Sequence, residues 1–184
     1  MRKILLPFVV LPSVLFLLMS CAQDVEDLYA HERAFLRLQP VTAIVPLYTA
    51  LNSPGMYCAI TIGSKVYNFQ GSDGATATYP FSAQEAYGSP ECVAGFVVGI
   101  PSVPDLNMQQ VPVAYDLVCP TCYERNLLQR TLAFSDHERL SCPRCHSVYD
   151  LANGGILVSG DGVSKLYRYH ITYSAANNML LVMN

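Results

Sequence analysis

Val118-Cys-Pro-Thr-Cys-Tyr123 and Ser141-Cys-Pro-Arg-Cys-His-Ser-Val-Tyr-Asp150 are the two stretches on which the reading of this chain turns. Each holds a Cys-Pro-x-Cys unit, or knuckle, Cys119 with Cys122 and Cys142 with Cys145, and nineteen residues lie between the two. Two thiols three positions apart on a tight turn reach one metal together, and two such turns supply a tetrahedral set of four thiolates. Backbone N–H groups in such turns point at the sulfurs and stabilise their charge. Structural zinc suits four sulfur ligands and a closed shell; a single tetrahedral iron fits the same softness and geometry. Two disulfides, or a redox-active dithiol in one unit, are the competing uses of these cysteines.

The chain begins MRKILLPFVVLPSVLFLLMSC, a basic head at Arg2 and Lys3 followed by an uncharged apolar run over Ile4–Met19. The run reads as a secretory signal; its length, and Pro7 and Pro12 within it, argue against a spanning helix. Its ending, Leu18-Met19-Ser20-Cys21, resembles a bacterial lipobox, which implies cleavage after residue 20 and lipidation of Cys21. Residues 21–34 are then an acylated cysteine with a polar, acidic tether. The membrane becomes a partner through that lipid, and the expected location is the cell envelope, on the outer membrane. Cleavage leaves 164 residues with nine basic and fourteen acidic side chains, a net charge of −5. That balance, without a basic patch, speaks against nucleic acid as a partner.

Residues 35–184 read as an all-β domain large enough to bury one core. Short runs rich in β-branched and aromatic residues alternate with Gly, Pro, Asn and Ser. They predict strands over Phe35–Leu38, Met56–Ile62, Lys65–Phe69, Val93–Ile100, Val111–Val118, Arg130–Phe134, Ile156–Ser159, Lys165–Tyr173 and Met179–Met183. Gly63-Ser64 and Asn177-Asn178 read as hairpin turns. Short helices are predicted over Pro46–Leu51 and from the capping box Ser82-Ala-Gln-Glu85. Tyr167, Tyr169 and Tyr173 share a strand face by parity and read as a core or sheet-edge stripe. Cys58 and Cys92 are a possible disulfide outside the cytoplasm, or two buried free thiols. Asp116 and Asp150, beside the two units, are expected to accept hydrogen bonds from turn N–H groups.

Cys142-Pro-Arg-Cys-His-Ser-Val-Tyr-Asp150 resembles the second ligand box of Rieske iron–sulfur domains: a Cys-Pro start, then a serine, an aromatic and an aspartate. Cys142, Ser147, Tyr149 and Asp150 match that box, and Cys145 stands at its histidine ligand. The Leu151–Gly155 turn, Gly160 and the Lys165–Tyr173 strand resemble the turn and return strands of that fold. More narrowly, the chain is similar to Rieske-like envelope lipoproteins of Bacteroides-type bacteria. The resemblance implies a Rieske-like antiparallel β-sandwich carrying an inserted zinc-ribbon or rubredoxin-like metal subdomain at about residues 115–155.

The first box departs from that family: Cys119-x-x-Cys122 stands where Rieske domains have Cys-x-His. Two thiolates in place of two neutral imidazoles would move a [2Fe–2S] centre from Rieske toward ferredoxin potentials, on the order of −400 mV. One zinc is therefore favoured, with an all-cysteine [2Fe–2S] cluster and mononuclear iron as alternatives. His146 offers a Cys3His variant of the shell; His31, His137 and His170 lie in no ligand motif. There is no Gly-x-Ser-x-Gly elbow, phosphate loop or His-Glu-x-x-His. The expected role is that of a non-enzymatic envelope binding module; a low-potential electron carrier is the alternative.

Overall fold

The structure, a computed structural model, describes residues 28–83, 88–105, 107–163 and 165–184. The signal segment, Cys21 and the Gln84-Glu85 half of the capping box lie outside the described residues. Among the described residues are twelve strands and two short helices, so the all-β expectation holds. The strands are β1 Phe35–Leu38, β2 Met56–Ile62, β3 Val66–Gly71, β4 Thr76–Pro80, β5 Phe96–Ile100, β6 Val113–Asp116, β7 Ala133–Asp136, β8 Arg139–Ser141, β9 Val148–Asp150, β10 Ile156–Ser159, β11 Arg168–Ser174 and β12 Met179–Met183. The helices are α1 Val45–Ala50 and α2 Pro120–Asn126. No helix among the described residues is long and apolar enough to cross a membrane.

Eight strands form one antiparallel sheet in the order β1-β12-β11-β6-β5-β2-β3-β4, and four form a second in the order β10-β9-β8-β7. The two-residue period of a strand sends alternate side chains to opposite faces. On β2, Cys58 and Ile60 enter one apolar cluster and Tyr57 the other; on β5, Phe96 and Val98 part from Val97 in the same way. The first cluster also takes Leu36 and Leu38 from one edge of the large sheet and packs Ala77 and Tyr79 from the other. The sheet therefore curls around this core, with Leu47 and Ala50 of α1 inside it.

The second cluster lies on the opposite face of the central strands. There Tyr57, Val97, Val113 and Tyr115 meet Leu140 and Tyr149 of the small sheet together with three of the knuckle cysteines. Covered on both faces, β5 and β6 are buried at every residue. Both hairpin turns form where expected: Gly63 N–H donates to Val66 O at 2.8 Å, and Asn178 takes a left-handed φ of 52° between β11 and β12. Asparagine tolerates that conformation better than most residues.

Candidate metal centre

The first knuckle is the opening turn of a helix rather than a hairpin turn. Cys119 is the extended residue before α2 (φ −74°, ψ 110°) and Pro120 takes the first helical position. Proline suits that place because its missing N–H would have had no partner there. Cys122 falls on the first turn, and Tyr123 N–H donates to Cys119 O at 3.0 Å. Arg130 O anchors Cys119 from outside by accepting its N–H at 2.7 Å. The second knuckle is a true hairpin tip between β8 and β9. Cys142 N–H donates to Ser147 O at 2.9 Å, and His146, at φ 59°, closes the turn by donating its N–H to Cys142 O at 3.1 Å.

These two turns face each other across the second core. Cys119 Sγ lies 3.5 Å from Cys145 Sγ, and Cys122 Sγ lies 3.8 Å from Cys142 Sγ. All four sulfurs fall within 4.8 Å of one another, close enough to hold one metal ion. These separations exceed a covalent S–S bond of about 2.05 Å, and all four cysteines are free thiols. Cys119, Cys122 and Cys142 are buried, while Cys145 keeps partial access to solvent.

Burial pushes the Cys119 thiol above its ordinary value, against a hydrogen bond from the Cys122 N–H. Burial likewise takes Cys122 up to about 11. Cys145 is the exception. Burial opposes its ionisation too, but Ser147's hydroxyl and N–H, with the thiols of Cys119 and Cys142, bring it down to about 6. Ser147 is fully buried, and its Oγ stands 3.3 Å from Cys145 Sγ. The surroundings of Cys145 thus favour its thiolate.

Two aspartates were expected beside the knuckles as turn caps, and both are. Asp116, fully buried, accepts N–H bonds from Val93 (2.8 Å), Ala94 (3.1 Å) and Val118 (2.7 Å), and the Tyr169 hydroxyl at 3.1 Å. Burial raises its pKa above the ordinary carboxylate value, against those four donors. Asp150 accepts the Ala152 N–H at 3.0 Å.

Cys58 and Cys92 are both free thiols, so the possible disulfide is not formed here. Cys58 faces the first core from the middle of β2, whereas Cys92 is half-buried in the loop before β5. His146 is exposed and is not one of the four gathered ligands. His170 stacks on Tyr29 with ring centroids 3.7 Å apart. Tyr169 and Tyr173 pack in or against the first core, while Tyr167 instead donates its hydroxyl to Glu124 at 3.1 Å. A residue that sequence reasoning missed is Thr121, buried inside the first knuckle with its Oγ1 2.9 Å from the Tyr149 hydroxyl. Its only signal was a polar residue between two cysteines, which exposed turns share.

No protein-family model matches this chain. No curated protein matches it either.

Proposed function

We propose that this chain is a lipid-anchored cell-envelope protein whose Rieske-like β-domain is pinned by one structural zinc on Cys119, Cys122, Cys142 and Cys145. It acts as a non-enzymatic binding module. The observation that carries the metal reading is the gathering of four sulfurs within 4.8 Å. Zinc–sulfur bonds of about 2.3 Å put tetrahedral sulfurs roughly 3.8 Å apart. Two of the pairs, at 3.5 and 3.8 Å, suit that edge. A binuclear cluster would place two irons and their bridging sulfides between the thiolate pairs and hold thiolates of different irons farther apart than those on one metal. Compactness therefore favours one metal over two.

The anchor and the envelope location rest on the Arg2–Cys21 segment and its lipobox-like ending. The role of the metal comes from where its ligands sit. They join a helix and a hairpin that also share the second core, and metal bound to such a site contributes directly to folding.

A single iron in the same four-sulfur shell is the second reading, supported by the partial exposure of Cys145 as an exit for electrons. Elemental analysis with an ultraviolet–visible spectrum of the purified protein separates the two. One zinc per chain without colour is expected. Iron with charge-transfer bands would replace the structural role with electron transfer.

A further inference from the structure

A short loop after β10 lies against both knuckles. Val163 donates its N–H to Thr121 Oγ1 at 3.1 Å, and the same hydroxyl meets the Tyr149 hydroxyl at 2.9 Å. Thr121 belongs to the first knuckle, and Tyr149 to the strand that leaves the second. One buried oxygen thus ties together the helix turn, the hairpin and the loop. The loop also fits too closely for side chains. A Cβ on Gly162 would collide with the Thr121 hydroxyl and stand 2.7 Å from its methyl group. A Cβ on Gly160, at φ 101°, would stand 3.0 Å from Ser147 Cα, beside the hydroxyl that faces Cys145.

We propose that Gly160–Val163 is a latch over the four-sulfur site, with the Thr121 hydroxyl as its catch, and that this latch sets how fast a bound metal leaves. The inference rests on the reading that the four cysteines hold a metal. Release requires a proton or a competing ligand to reach a thiolate and one knuckle to move from the other. While Thr121 holds both Tyr149 and Val163, neither the helix turn nor the loop moves away without breaking one of these hydrogen bonds. Thr121 is a positioning residue: it is not one of the four gathered ligands and acts through the two knuckles. Losing one buried and one part-buried hydrogen bond of ordinary strength favours the open form by roughly tenfold or more.

The test is transfer of cobalt(II), and then zinc, from the loaded full chain to an excess of a chromogenic chelator. Wild type is compared with Thr121→Val, Thr121→Ser, Gly162→Ala and the Thr121→Val/Gly162→Ala double variant. The cobalt–thiolate spectrum should be the same in all of them, because the four ligands are untouched. Release should be about tenfold faster in Thr121→Val and in Gly162→Ala, each of which opens the latch. The double variant should release no faster than the faster single one, since both lesions act on one contact. Thr121→Ser, which keeps the hydroxyl, should stay near the wild-type rate.

Wild-type release from Thr121→Val, or effects that multiply in the double variant, would overturn the latch while leaving the metal site standing. A wild-type chain that takes up neither metal would overturn the site reading and the latch with it. Gly162→Ala removes no hydrogen-bonding group and decides the same question if Thr121→Val does not fold.

Discussion

Cys119 Sγ and Cys145 Sγ stand 3.5 Å apart although the residues are 26 positions apart in the chain. The contact closes a loop whose ordering cost is shared by the second core packed around it. A metal held by all four sulfurs would tie the two turns together, and the two cores predict how its effect would be distributed. Removing the metal, or making Cys142→Ser, should cost several kcal/mol and loosen the second core while the first persists. Hydrogen exchange reads this directly. Amides of α2, β8 and β9 should lose protection, and those of β2, β5 and β12 should keep theirs. Uniform loss across both cores would show that the metal is not a local staple.

Asp116→Asn should destabilise the fold by about 2–4 kcal/mol, because the buried carboxylate accepts four hydrogen bonds and an amide offers only one oxygen for them. The NH2 group would also face backbone donors. Urea titration checks this, and a change below about 0.5 kcal/mol, typical of an inert surface site, would contradict it.

Leu127 ends α2 at φ 52° with its side chain 78 % exposed. Left-handed backbone costs a residue with a Cβ about 1–2 kcal/mol, and glycine adopts it freely. Leu127→Gly should therefore raise stability by roughly 0.5–1 kcal/mol, since glycine's looser unfolded state offsets part of the gain. A lowered melting temperature would mean that the exposed leucine makes contacts worth more than its backbone strain.

Alkaline pH should weaken the fold. Burial pushes Cys92 from 9.0 up to about 12 and Tyr149 from 10.0 up to about 12. It also raises Cys58, Tyr57 and Tyr169. A raised group keeps its proton in the folded chain after the unfolded chain has released it. Its contribution is therefore complete below about pH 9 and is lost as pH rises toward 12. Urea midpoints should hold steady to about pH 9 and then fall; a level profile to about pH 11 would contradict the burial of these groups.

Much of the fold could be read from local pattern. Phe35–Leu38, Met56–Ile62, Ile156–Ser159 and Met179–Met183 form strands with the bounds expected, because each is a β-rich run closed by turn residues. β4 escaped notice because Thr76-Ala-Thr-Tyr-Pro80 is polar and ends in proline, which only an edge strand tolerates. β8 and β9 have three residues each and exist through their pairing beside the knuckle, a tertiary cause that no short window contains. α2 was missed for a related reason. Cys-Pro-x-Cys fits either a hairpin tip or a helix start, and Pro120 at the first helical position was the overlooked sign. The four cysteines were legible as a set from spacing alone. The hydrogen bonds around them, above all at Thr121, depend on a loop whose Val163 lies 42 residues downstream.

X-ray absorption at the metal edge would count the sulfurs around the metal and reveal any second metal beside it. A single shell of four sulfur scatterers at about 2.3 Å, with no neighbouring metal, is the predicted result. A metal–metal vector, or nitrogen or oxygen in the shell in place of sulfur, would contradict it.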